Sequence, residues 1–275
     1  MCDGLKESNV ELWKAWRLGD WNTFAGQYFQ EWSPLKHTVR SFQPNKNNVI
    51  VGGLDWGYSA PFSFHLAEVK KLSYNEQIFY RVKPFLECYG TQKTAKEWSE
   101  AMIKEMTGYG IDFKDILWIQ ADPAIFNKAT DGSVSIRDQF IKANEGWRIL
   151  RPGSNDRIPG WMNYHQWLST APDGLPYYQV AMECKELIRT LPELIHDELK
   201  VEDVETDGED HAPDDQRYML KGLKWLGTQS GATSHLPTRK RPQTALVDPK
   251  TGKQVSINLG KFGQQQVKTK SWWTT

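Results

Sequence analysis

Three aspartates stand where rigid backbone would give way to solvent. Asp55 closes the apolar run Asn48 to Leu54 and is followed by Trp56-Gly57. Asp122 closes a second run, Ile116 to Ala121, and is followed by Pro123-Ala124. A carboxylate at a strand exit escapes the core yet stays on rigid backbone, which suits a reactive group, although Asp and Gly also favour such exits simply as turn formers. If the two strands are parallel neighbours, their carboxylates lie about 5 Å apart. Like charges that close are unfavourable unless a cation lies between them, and oxygen donors of this kind suit Mg²⁺ or Mn²⁺.

The third element is Asp210-His211-Ala212-Pro213-Asp214-Asp215-Gln216-Arg217-Tyr218. Pro213 fits the first turn of a helix. Asp214 follows it, where the helix dipole stabilises negative charge by about 0.3–1 kcal/mol, and shares a stripe with Tyr218 and Lys221. Ordinary capping would explain each aspartate alone. Together, carboxylates on two strand ends and a late helix support two-metal phosphodiester hydrolysis, with one ion activating water and the other stabilising the leaving 3′ oxygen. Asp210 is a further candidate ligand. His211 fits the orientation of a water or ligand, or a proton relay, and equally a structural role.

These groups must be carried by a scaffold. Strands are expected over Asn48–Leu54, Pro61–Val69, Ile78–Val82, Ile116–Ala121 and Trp147–Leu150, with a further one over Pro176–Met182. Helices are expected over Lys93–Thr107, where Ala95, Trp98, Met102 and Met106 recur at helical spacing, over Ser135–Ala143, after Pro159-Gly160, and over Asp214–Leu226 with Gly227 as the stop. Three leading strands with short connections imply an antiparallel meander, and the later alternation implies parallel strands with helical crossovers. The fold class is therefore α/β: a mixed sheet, antiparallel first and parallel afterwards, with helices on both faces. Residues 1–46, with Val10, Trp13 and Trp16 as an apolar stripe, read as a helical connector, 47–230 as the main domain and 231–275 as a basic, loosely ordered tail.

Lys plus Arg and Asp plus Glu both number 34 among 275 residues, which excludes a uniformly basic nucleic-acid coat but not a local patch. The charge is in fact segregated: Glu193 to Asp215 holds 11 acidic residues and one lysine, and His235 to Thr275 holds eight Lys/Arg and one aspartate. No apolar run approaches a membrane span, and Cys2, Cys88 and Cys184 form neither a paired framework nor a zinc cluster. There is no Gly-x-x-x-x-Gly-Lys-Ser/Thr, no Gly-x-Gly-x-x-Gly after a strand, no His-Glu-x-x-His and no Gly-x-Ser-x-Gly, so an autonomous ATPase, a dinucleotide enzyme, a zincin and an α/β-hydrolase lack their marks.

Across about residues 5–227 the chain resembles the large subunit of tailed-phage terminases, in its C-terminal nuclease domain of RNase H-like fold. The matching stretches are Gly19-Asp20-Trp21 with Phe24 to Phe29, Leu54-Asp55-Trp56-Gly57-Tyr58, Ala121-Asp122-Pro123-Ala124, Asn155-Asp156-Arg157, Gly160-Trp161, and Glu209 to Asp214 through Arg217-Tyr218. The family pattern at the last site is Asp-His-Ala-x-Asp-Ala-x-Arg-Tyr. Aligned on Arg217-Tyr218, its catalytic aspartate falls on Asp214, while Asp215 replaces the usual alanine.

The resemblance implies that Asp55, Asp122 and Asp214 are catalytic and bind two Mg²⁺ or Mn²⁺ ions, with His211 and Asp210 beside them. Arg157, Arg217 and Lys221 would support DNA or the acidic cluster. It further implies an endonuclease that cuts concatemeric viral DNA during genome packaging in the host cell cytoplasm. Its partners would be double-stranded DNA, a packaging ATPase domain, the terminase small subunit and the portal protein, with no membrane. The family's ATPase domain is expected to be missing from this chain. The rival readings are another RNase H-like nuclease or transposase, for which no DNA-recognition domain is evident, and a non-catalytic phage assembly module, against which the three aspartates argue.

Overall fold

The computed structural model describes residues 26–128, 134–205 and 208–223, together with the strands at 246–247 and 254–255. The chain falls into two compact units, 1–236 and 237–275. In the second, Leu246–Val247 and Gln254–Val255 pair antiparallel.

The larger unit opens with a single-turn helix α1 (Pro34–His37) and a short strand β1 (Thr38–Val39). The strands β2 (Val49–Asp55), β3 (Phe62–Tyr74), β4 (Gln77–Gly90), β5 (Ile116–Ala121) and β6 (Leu150–Pro152) then form one sheet in the order β4-β3-β2-β5-β6. β2, β3 and β4 are antiparallel, whereas β5 and β6 join parallel to β2. The β3–β4 hairpin turns through Asn75 and Glu76, both at positive φ, as a two-residue loop matched to strand twist requires. β7 (Val180–Ala181) pairs with β1.

Both faces of the sheet are covered, and the strand period decides which residue serves which core. Ile50 and Leu54 join Phe64, Trp98, Met102, Phe140 and Trp147 on one side, while Val51 joins Trp118, Trp161, Tyr164, Met219 and Leu220 on the other. The first core is closed by α2 (Ala95–Gly108) and α3 (Ile136–Ala143). α2 starts with a reciprocal capping box between Thr94 and Glu97, and α3 starts at Ser135, whose side chain accepts from the Asp138 amide. The second core is closed by α4 (Arg157–Leu168), α5 (Lys185–Thr190) and α6 (His211–Leu223). Tyr28, Phe29 and Trp32 are buried in that same core, with Phe29 ringed by Trp161, Tyr164 and His165. Three antiparallel strands, two parallel ones and helices on both faces make an RNase H-like arrangement.

Several elements depart from expectation for identifiable reasons. β3 and β4 run well past Val69 and Val82. Pro84 lies inside β4 at a register shift, where Leu66 and Ala67 face Leu86 and Pro84, so the proline just after the expected strand occupies a bulge within a longer one. The expected strand at Trp147–Leu150 begins only at Leu150. Before it, Asn144 accepts from the Gly146 amide and starts a 3₁₀ turn that drives Trp147 inward onto the Ser99 hydroxyl. α4 starts at Arg157, ahead of Pro159-Gly160, and α6 starts at His211. The strand expected over Pro176–Met182 is reduced to β7. The apolar stripe of Val10, Trp13 and Trp16, the end of the last helix beyond Leu223, and most of the basic tail lie outside the described residues. Among the described residues no helix is long and apolar enough to cross a membrane.

Candidate active site

β2 and β5 run parallel with Leu54 opposite Ala121. The Asp122 amide donates to the Leu54 carbonyl at 2.9 Å, and the Gly153 amide donates to the Ala121 carbonyl at 2.7 Å. Asp55 and Asp122 therefore leave the sheet side by side, one residue beyond that pair, at the carboxyl edge of the parallel strands. Asp122 caps the short turn Pro123–Phe126, accepting at Oδ1 from the Ala124 amide at 2.8 Å. Asp55 is only 8% exposed.

The third carboxylate comes from α6, which comes close to β2 at Gly53 and close to α4 at Gly160. A Cβ on Gly53 would lie 2.2 Å from the Asp215 carbonyl oxygen, and one on Gly160 would lie 2.7 Å from Cγ of Arg217. The helix thereby brings its first turn over the strand ends. His211 Nδ1 is 2.8 Å from Asp55 Oδ2. Asp214 accepts from Arg217 Nε at 2.8 Å and from Arg157 Nη1 at 3.4 Å. Arg157 also reaches Asp210 at 3.4 Å and Asp203 at 3.1 Å, with its guanidinium over the Trp161 ring. Lys221 points elsewhere and is tied to Asp156 at 3.0 Å.

Asp215 takes the opposite direction. It is fully buried and accepts from Ser63 Oγ, from His65 Nδ1 at 2.6 Å and from Gln216 Nε2 at 2.5 Å. A helix turns about 100° per residue, so consecutive side chains cannot share one direction. The doubled aspartate is thus divided: Asp214 faces the site and Asp215 faces the sheet.

Charge crowding marks the cluster. Burial pushes the Asp55 carboxyl up to about 7, against the hydrogen bond from His211, and the charge of Asp214 adds to the rise. Burial likewise lifts Asp122, with Asp214 again repelling. Asp210 is raised to about 6 by burial and by Asp214. The His211 imidazole is raised chiefly by its hydrogen bond to Asp55. Behind the helix, burial raises Asp215 against the opposing charge of His65.

Among the described residues, no three His, Cys, Asp or Glu side chains form a ready metal-ligating group. The donor chemistry nevertheless fits a hard divalent cation. The cluster is oxygen-rich and its negative charges repel one another. His65, Ser63, Glu87 and Asp203 were not singled out from the sequence. Only the placement of His65 inside an expected strand hinted at a buried polar group.

No protein-family model matches the chain, and no curated protein matches it. Solved structures do. The large terminase of a thermophilic bacteriophage superposes with a TM-score of 0.54 at 20% identity, over 72% of this chain and 44% of that one. The P22 large terminase nuclease domain superposes with a TM-score of 0.52 at 12% identity, over 74% of this chain and 95% of that one. The chain thus spans about half the length of the thermophilic phage's large terminase but nearly all of the isolated P22 domain. In fold, it matches the nuclease domain of the tailed-phage terminase large subunit.

Proposed function

We propose that this chain is a Mg²⁺- or Mn²⁺-dependent endonuclease of a viral terminase, cutting double-stranded concatemeric DNA for genome packaging in the host cytoplasm. The observation that carries the reading is the meeting of Asp55 and Asp122, on adjacent parallel strand ends, with the α6 turn that bears Asp214. Asp55, Asp122 and Asp214 would hold the ions, with Asp210 alongside. Such ions supply a water of lowered pKa and neutralise the leaving 3′ oxygen. His211 holds the Asp55 carboxylate at Oδ2, the Ala124 amide holds Asp122 at Oδ1 and Arg217 holds Asp214 at Oδ1, so all three carboxylates are oriented by the protein itself. The packaging ATPase, the small subunit and the portal belong to this reading as partners.

Supercoiled plasmid incubated with the purified chain and Mn²⁺ is expected to be nicked and linearised, and EDTA to stop it. Intact plasmid in Mn²⁺ and in Mg²⁺, from protein that is folded by circular dichroism, would reject the reading.

A further inference from the structure

A buried polar row crosses three strands beneath α6. Gly53 of β2 pairs with His65 of β3, and His65 pairs with Glu87 of β4. Directly opposed residues share a sheet face, so the row presents itself to the helices on that face, α5 and α6. His65 is fully buried. Its Nδ1 lies 2.6 Å from Asp215 Oδ2 and its Nε2 lies 2.9 Å from Glu87 Oε1. Glu87 also accepts from the backbone amides of Glu186 and Leu187, at 3.0 and 2.9 Å, in the first turn of α5. Ser63, two residues from His65 on the same strand face, donates to the same Asp215 oxygen.

We propose that His65 is a positioning residue for the active site, fixing the rotation of α6 through Asp215 and so the direction of Asp214; this rests on the nuclease reading above. Both ring nitrogens face carboxylate oxygens, and ionised carboxylates only accept, so with Asp215 and Glu87 ionised both nitrogens donate and the ring is an imidazolium. Burial alone would push this ring down, but the charge and hydrogen bond of Asp215, followed by Glu87, lift it to about 10. Asp215 is one helix position from Asp214, and its carbonyl lies against Gly53, two residues before Asp55. A helix anchored by one side chain and one close backbone contact has little freedom to turn. Any turn that did occur would swing Asp214 away from Asp55 and Asp122, and a displacement of about 1 Å at a reacting centre can cost about 100-fold in rate.

Asparagine and glutamine separate the two arms of His65. The amide nitrogen of H65N falls near Nδ1 and keeps the bond to Asp215. That of H65Q falls near Nε2 and keeps only the bond to Glu87. Each variant removes the ring's charge, and with it both buried ion pairs, and keeps one of the two hydrogen bonds, so a purely structural role predicts similar melting temperatures and similar activities. The full chain is titrated with Mn²⁺ by calorimetry, and plasmid cleavage is measured in parallel. H65N is expected within about threefold of wild type in Mn²⁺ affinity and kcat, and H65Q weaker by about 10–100-fold, the usual cost of losing an outer-shell partner. KM for DNA should be unchanged in both. Equal losses in the two variants, or the greater loss in H65N, would overturn the proposal. E87Q, which keeps an acceptor for Nε2 and leaves the Asp215 arm intact, is expected to bind Mn²⁺ like wild type; a loss there as large as that expected of H65Q also overturns it. Wild-type protein that binds Mn²⁺ but leaves DNA intact would sink the nuclease reading alone, and the affinity order would still decide the role of His65. Failure of wild type to bind Mn²⁺ would sink both.

Discussion

His211 Nδ1 and Asp55 Oδ2 lie 2.8 Å apart across 156 positions of sequence. The contact joins the first turn of α6 to the end of β2, so it fixes the Asp55 carboxylate and ties down the helix start at once. His211→Ala should lower Mn²⁺ affinity by about 10–100-fold, as expected for losing a group that orients a ligand, while the fold is retained. Asp55→Asn should abolish cleavage. A calorimetric titration of H211A that matches wild type would remove His211 from the site.

The two adjacent aspartates should fail in different ways. Asp214→Asn removes a carboxylate that faces Asp55 and Asp122, so the protein should stay folded and stop cutting. Asp215→Asn leaves the buried His65 charge without its closest partner, and breaking such a pair costs about 3–5 kcal/mol. Urea denaturation of both variants checks this. If D214N proves the less stable of the two, the division of roles is wrong.

Stability should also fall on the alkaline side. The folded-state pKa of His65, about 10, lies above its ordinary value of 6.5. Its contribution is therefore complete below pH 6.5 and is lost as pH rises toward 10. Glu87 is shifted the other way: against the penalty of burial, His65 and two backbone amides hold its carboxyl below the usual range. Its contribution is present above about pH 4.5 and is lost as pH falls further. The melting temperature of wild type should decline from pH 6.5 to 10, and that of H65N should decline less steeply. Parallel curves would mean that His65 is not held as an imidazolium.

Arg157 is committed to carboxylates, pairing with Asp203, Asp210 and Asp214. Arg157→Gln should therefore leave the salt dependence of DNA binding unchanged. A phosphate contact would instead make the log–log salt slope shallower by about one. Fluorescence anisotropy over a range of salt concentrations distinguishes the two.

With no phosphate-cradling loop of the Gly-x-x-x-x-Gly-Lys-Ser/Thr kind in these 275 residues, cleavage by this chain should proceed at the same rate with and without ATP. Phosphate release from ATP that persists through successive purification steps would contradict this.

Much of the scaffold was legible because the strands that carry Asp55 and Asp122 are covered on both faces and so read as largely apolar runs, broken only by Gln120 in the second, that end in a carboxylate. The antiparallel-then-parallel order followed from connection lengths. Local pattern was misleading where a long-range contact overrode it. The strand expected over Ile78–Val82 runs on through a bulge at Pro84, and Trp147, expected to open a strand, is drawn to Ser99 by a 3₁₀ turn. His65 and Glu87 were invisible as a pair. Their partnership depends on strand register and on a helix whose contribution, Asp215, lies 150 positions downstream of His65. Asp214 could be told from Asp215 only by alignment on Arg217-Tyr218, whereas the structure separates them by direction.

The span between Asp55 and α6 also bears on when the site comes into being. Contacts this distant in sequence carry a high closure entropy and form late in folding. A chain emerging from the ribosome completes the Asp55–Asp122 edge once residue 122 is available, but it lacks the third wall until residues 211–214 have been made and docked. Throughout that interval the cluster has neither Asp214 nor the His211 that steadies Asp55. On the nuclease reading, the site would therefore stay incomplete until nearly the whole larger unit had folded.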